Sequence, residues 1–379
     1  MEFKACVEII RPVNCVMGGL TVLSAVLVAN VFDNLNLQFF WSKFWIFPNR
    51  FFEIAFISYF VYFLIAAAGM VINDIFDLEV DKINKPNRPL PRGALTVKQA
   101  VAYTVVLWAS GVALAFWISV ASGILALIFS GIGLLYAARV KVSGLLGNFV
   151  VAFSFAFGYI YGSFITSMER GILRFPLMTL LFFITAFMVL QGREIIKGME
   201  DVEGDKCRNA KTIACVYGLK RAGIAGSVCN AIGIISFTAC WILDMPSLWY
   251  SPILPGLLGS VLNFTGITTF APWLTMNAFS PWYILNIFGI AGSSFNFTGM
   301  IIFTSFWVID MPSPWYIPKL LGFWFIPFYF AGIISVAISI TLILWKYESQ
   351  RAQKWASLFV KLGALFGLIA FLVGPLIHG

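Results

Sequence analysis

Histidine is all but missing from this chain: there is one in 379 residues, His378, next to the end. Cysteine is scarce too, and the six present (Cys6, Cys15, Cys207, Cys215, Cys229 and Cys240) make no CxxC pair and no Cys/His ligand set. Zinc, haem and thiol chemistry are therefore not expected, and the cysteines read as small buried hydrophobes. Charge is the third shortage, at 11% of residues against 60% hydrophobic. No soluble domain hides that much apolar surface, and no separate soluble domain is visible. Basic and aromatic residues are not interleaved as nucleic-acid binding requires, so no nucleic-acid partner is expected. Glu2, Lys4, Glu8 and Arg11 precede the first apolar run, a start unlike a cleaved signal peptide.

What the chain does have is a series of apolar runs, each long enough to cross the roughly 30 Å bilayer core as a helix. Run lengths and their breaks predict eleven spans: 14–31, 51–72, 97–117, 122–138, 148–166, 176–190 with a polar extension, 222–243, 251–276, 283–309, 317–345 and 355–377. The fold class is all-α, a polytopic transmembrane helix bundle, with residues 1–379 as one domain. Lys and Arg gather on one side: Lys4 and Arg11; Lys82, Lys85, Arg88 and Arg92; Arg139 and Lys141; Lys206, Arg208, Lys211, Lys220 and Arg221; Lys346, Arg351 and Lys354. The other side has Lys43, Arg50, Arg170, Arg174 and Lys319. This asymmetry predicts a multi-pass protein of the cell membrane with the first set facing the cytoplasm, and membrane lipids account for the net charge of +8.

Residues 226–324 hold an internal repeat. Gly226-Ser227, Gly259-Ser260 and Gly292-Ser293 recur with a 33-residue period, and Asn263-Phe264-Thr265-Gly266 matches Asn296-Phe297-Thr298-Gly299. That period fits one membrane helix and a turn, so two extra copies add two helices and return the chain to its original side. The segment is nearly free of ionisable groups, which marks it as scaffold, lipid-facing extension or oligomer contact rather than chemistry. The sequence specifies no oligomeric state.

Two acidic clusters stand out against this background, both at helix ends on the basic side. In the first, Asp74, Asp77 and Asp81 share one face if the helix continues through them, with Lys82, Lys85 and Arg88 following. In the second, Glu194, Asp201 and Asp205 share a face, with Lys197 on the same stripe. A solvated acidic loop would explain either cluster alone; two of them with helical spacing on one side call for a common reason. Oxygen-only ligands beside basic residues suggest magnesium holding a diphosphate. The suited reaction is ionisation of an allylic diphosphate, with the apolar bundle sheltering the carbocation from water.

The pattern Asn73-Asp74-x-x-Asp77-x-x-x-Asp81, then Arg88-Pro89-x-Pro91-x-Gly93, then Asp201-x-x-x-Asp205, resembles the UbiA superfamily of intramembrane prenyltransferases. The resemblance runs from about Glu8 to Gly218 and implies a nine-helix core, to which the repeat adds about two helices. Within the superfamily the stretches Asp81 to Pro91, Arg193 to Lys197 and Glu8 to Asn14, with Gly147-Asn148 after Lys141, are most similar to archaeal digeranylgeranylglyceryl phosphate synthases. That resemblance implies geranylgeranyl transfer from geranylgeranyl diphosphate to a lipid-phosphate acceptor, geranylgeranylglyceryl phosphate. It implies Mg2+ as cofactor, with Asp74, Asp77, Asp81, Asp201 and Asp205 as the magnesium-diphosphate residues and Asn14 and Asn73 beside them. Arg88, Lys141 and Lys197 are the candidate phosphate contacts. Arg11 is either a further contact or an interfacial anchor, Glu194 either a metal-shell carboxylate or a partner for Lys197, and Tyr136 reads as an interfacial aromatic. Gly198, Arg92 and the triplicated segment depart from the family pattern. Prenylation of an aromatic or chlorin acceptor is the alternative within the class, and an ion or phosphate transporter the alternative outside it; a transporter predicts helices broken near the bilayer midplane.

Overall fold

The computed structural model describes residues 2–37, 50–169, 176–207, 210–244 and 322–377, and among them it is helical with no strand. In chain order the helices are α1 (Phe3–Ile9), α2 (Pro12–Leu37), α3 (Phe51–Phe76), α4 (Leu78–Asn84), α5 (Val97–Ile118), α6 (Val120–Ala138), a 3-10 turn (Val140–Ser143), α7 (Leu145–Glu169), α8 (Leu177–Glu200), α9 (Val202–Cys207), α10 (Ile213–Tyr217), α11 (Leu219–Asp244), α12 (Gly322–Lys346) and α13 (Gln350–Ile377). Nine of these, α2, α3, α5, α6, α7, α8, α11, α12 and α13, are long and apolar enough to cross a membrane. They coincide with nine of the eleven expected spans. The other two, 251–276 and 283–309, lie outside the described residues, as do most of the 226–324 repeat and Lys43, Arg170, Arg174, Arg208, Lys319 and His378.

Polar side chains set the helix boundaries. Thr96 and Gln99 form a reciprocal capping box at the start of α5. Ser119 ends α5 and caps α6 through the Ser122 amide, so one residue makes the whole reversal between two membrane helices. Packing then closes the bundle. α2 lies against α3, α7 and α13; α8 lies between α7 and α11; α12 bridges α11 and α13. The rings of Phe182 and Phe371 stack at 3.5 Å in the centre, and Ser24 donates to the Phe371 carbonyl at 3.1 Å, tying the last helix to the first long one.

Inside a bilayer, apolar contact drives helix association weakly, and close approach of small residues matters more. At the α8–α11 crossing a Cβ on Gly192 would stand 2.8 Å from the Gly226 carbonyl oxygen and 2.4 Å from Asn230 Oδ1. Only glycine lets those backbones meet. α11 ends and α12 begins at the same end of the bundle, where Tyr329 donates to Thr238 Oγ1 at 2.9 Å. That end is opposite the one bearing the carboxylates.

Candidate active site

Both acidic clusters are built in the same way. α3 stops at Phe76, Asp77 occupies a single residue between helices, and α4 resumes at Leu78. Likewise α8 stops at Glu200, Asp201 occupies the break, and α9 resumes at Val202. The hydrogen bonding runs in parallel: Asp77 N–H donates to Asn73 and Asp81 N–H to Asp77, while Asp201 N–H donates to Lys197 and Asp205 N–H to Asp201. The expectation of one uninterrupted helix through each motif is thus corrected to a helix, a one-residue joint and a short helix. Because each joint keeps i to i+4 bonding, the carboxylates stay roughly on one face.

In the first cluster Asp74 and Asp81 are almost fully buried, with side chains 4% and 3% exposed. Buried carboxylates require partners. Arg88 supplies one guanidinium nitrogen to both, 3.2 Å from Asp74 and in closer contact with Asp81. Arg11 also pairs with Asp74, and Lys141 pairs with Asp77. Arg11 is therefore no mere interfacial anchor: it sits between α1 and α2 with φ +50, a left-handed backbone rare for a residue with a side chain, and reaches across 63 positions to the carboxylate. Asn14, on the first turn of α2, donates its backbone N–H to the Arg11 carbonyl at 2.9 Å. Asn73 is half-buried on α3, and its side-chain oxygen is buried without a hydrogen-bond partner.

In the second cluster Glu194 is paired with Arg193 at 2.7 Å and lies 3.8 Å from Lys197. Asp201 is exposed and Asp205 half-buried. One residue links the clusters. Lys85 interacts electrostatically with Asp81 and Asp201 and with Arg88 and Lys197; desolvation and these two like charges hold its pKa below the usual lysine range. Tyr136 lies near the end of α6, just ahead of the 3-10 turn that carries Lys141.

Sequence reasoning missed three participants. Lys85 was legible only as part of a basic run, and Arg193 as a neighbour of Glu194. Arg92, a departure from the family pattern, ties its loop to α1 through Glu8 at 2.8 Å.

Below the charged groups an apolar cavity of about 50 Å³ lies between α2, α7, α8, α11, α12 and α13. Its lining reaches from Met17 and Leu190, near the level of Asn14 and Glu194, to Tyr159, Phe237 and Phe371 in the core. The hydroxyl of Thr185 on its wall is buried without a partner.

The donor set fits a hard divalent cation: carboxylate oxygens, the orphaned Asn73 oxygen, and no nitrogen or sulfur ligand beside them. Among the described residues, however, no group of three or more His, Cys, Asp or Glu side chains is gathered to hold a metal. Each carboxylate of the first cluster is paired with a cation: Asp74 with Arg11 and Arg88, Asp81 with Arg88 and Asp77 with Lys141.

The UbiA prenyltransferase family model matches residues 35–276. The chain belongs to the UbiA prenyltransferase family. With nine apolar helices among the described residues it is a multi-pass membrane protein. Among curated relatives it is 36% identical over 237 residues to the digeranylgeranylglyceryl phosphate synthase of Thermococcus kodakarensis, covering 62% of this chain and 77% of the relative. It is 30% identical over 248 residues to the synthase of that name from Methanothermobacter thermautotrophicus, covering 65% and 79%. A solved structure described as a digeranylgeranylglyceryl phosphate synthase in membranes superposes with a TM-score of 0.55 at 23% identity over 98% of each chain, which shows the shared UbiA fold. Arg11 and Asn14 lie ahead of the segment matched by the family model.

Proposed function

We propose that this UbiA protein transfers a geranylgeranyl group from geranylgeranyl diphosphate to the free hydroxyl of geranylgeranylglyceryl phosphate, with Mg2+, at a cytoplasm-facing site. What supports the reading is that both acidic motifs stand at helix breaks at one end of the bundle, with Arg11, Arg88 and Lys141 paired to the first and Lys197 3.8 Å from Glu194 of the second. The acceptor follows from the similarity to the synthases of Thermococcus and Methanothermobacter. Both helix breaks lie at one end of the bundle, which favours an enzyme over a transporter.

Asp74, Asp77, Asp81, Asp201 and Asp205, with Asn73, would hold the metal, and Arg11, Arg88, Lys141 and Lys197 would face the diphosphate. Bound metal would stabilise the negative charge of the leaving diphosphate. The prenyl chain extends into the apolar seam below Met17 and Leu190, whose walls exclude water from the allylic cation. The C1–oxygen bond breaks with its electron pair leaving on diphosphate, the acceptor oxygen bonds C1, and the hydroxyl proton passes to a diphosphate oxygen or a nearby carboxylate. Among the described residues there is no histidine to serve as a base.

The test is incubation of purified protein with Mg2+, labelled geranylgeranyl diphosphate and one acceptor at a time. Labelled diether phosphate with the glyceryl phosphate acceptor supports the reading. Label appearing only in an aromatic or chlorin acceptor, or in no acceptor at all, overturns it.

A further inference from the structure

Arg88 occupies the position between two buried carboxylates that a metal reading assigns to a cation. Its Nη1 contacts Asp74 on α3 and Asp81 on α4, across the joint at Asp77. Its own side chain is 23% exposed, so it closes the open side of an otherwise buried pair. The loop that carries it is held by backbone bonds from Arg88 N–H to Lys85 and from Arg92 N–H to Arg88, each 3.0 Å. With Arg11 on Asp74 and Lys141 on Asp77, three cations face three carboxylates, and the first cluster is close to neutral by itself.

We infer that Arg88 is an internal counter-cation of this cluster, holding Asp74 and Asp81 together in the ligand-free protein and passing to the diphosphate when metal arrives. The inference rests on the substrate reading above and adds to it the order of events. A divalent cation entering alone meets carboxylates already neutralised and a fixed like charge within contact range, so it binds weakly. A prenyl diphosphate entering alone finds Arg11, Arg88 and Lys141 engaged with carboxylates. Entering together, the metal takes the carboxylate oxygens and the diphosphate takes the guanidinium, whose planar fork suits phosphate as well as it suits carboxylate. Metal and diphosphate therefore bind with positive cooperativity, and by linkage each raises the affinity of the other by the same factor.

The sign of one measurement separates this role from a structural salt bridge. Mn2+ binding to full-length protein in detergent is followed by the paramagnetic resonance signal of the free ion, with and without geranylgeranyl thiodiphosphate, which does not turn over. In wild type the thiodiphosphate tightens Mn2+ binding at least tenfold. Arg88→Gln binds Mn2+ alone at least fivefold tighter than wild type and loses most of the coupling, while Arg88→Lys, which keeps the charge, stays near wild type for Mn2+ alone. Arg88→Gln binding Mn2+ no tighter, or more weakly, overturns the inference. Should Arg88→Gln fail to fold, the wild-type coupling decides: a factor of ten or more supports it, and a smaller factor overturns it. Loss of coupling with thiodiphosphate still bound leaves the substrate reading standing, whereas no thiodiphosphate binding at any Mn2+ concentration overturns both.

Discussion

Asp74 and Asp81 are held at the end of α3 and in α4 with almost no exposure, and charge pairing is what makes that tolerable. The same carboxylates that stabilise this arrangement through Arg11 and Arg88 are the ones a metal would need. Asp77 and Asp201 sit at the two joints, one in each motif. Replacing either by Asn keeps the shape and removes the charge; turnover is expected to fall roughly a hundredfold or more, about 2.7 kcal/mol, with the unfolding temperature unchanged. Activity within threefold of wild type in either variant contradicts a two-motif site. Lys85 provides a pH test. Its pKa is lowered, so rising pH discharges it before an ordinary lysine at about 10.4, and diphosphate affinity should weaken on the alkaline side below that value. Lys85→Arg should move that limb to higher pH in binding titrations; an unchanged profile removes Lys85 from the site.

Much of this chemistry was legible in residue spacing, because i, i+3 and i+7 carboxylates mark one face whether or not the helix is continuous. The pairings were not. Arg11 with Asp74 and Arg92 with Glu8 join positions far apart in the chain, and nothing local to either arginine names its partner.

At the scale of elements, run length was a sufficient guide: α2 to α13 contain nine membrane helices where apolar runs predict them. The breaks at Asp77 (φ −87, ψ −1) and Asp201 (φ −98, ψ 11) were not legible, since aspartate at those places carries no glycine or proline signal and the i to i+4 bonding continues through them. Packing makes a further prediction on α8. Gly192→Ala drives a methyl into Asn230 and the Gly226 carbonyl and should destabilise the fold by about 1–3 kcal/mol, read as a lower unfolding temperature in detergent. Gly198→Ala, six residues later, meets nothing closer than 3.8 Å and should be neutral or slightly stabilising. Equal effects at the two positions would contradict the α8–α11 crossing as described.

At the scale of the whole molecule, the bundle closes on itself: α13 packs on α2 and α8, and the site is assembled from α1, the α3–α4 joint, the loop before α5, the 3-10 turn and the α8–α9 joint. All of these precede α11. The chain departs at Asp244 and returns at Gly322 at the opposite end, so we propose that the part of the repeat beyond Asp244 is peripheral to catalysis. Excising two 33-residue units should leave turnover within about threefold, since length added far from a site costs little; complete loss with a folded protein would assign the segment a part in the chemistry.

The central claim is that one metal-dependent site, made by both aspartate motifs, ionises geranylgeranyl diphosphate for attack by a glyceryl phosphate lipid. The most direct measurement is formation of labelled diether phosphate by the purified wild-type protein before chelation, after EDTA, and after Mg2+ is restored. The account predicts product, then none, then recovery of the original rate. Product that persists at an undiminished rate in EDTA would contradict it.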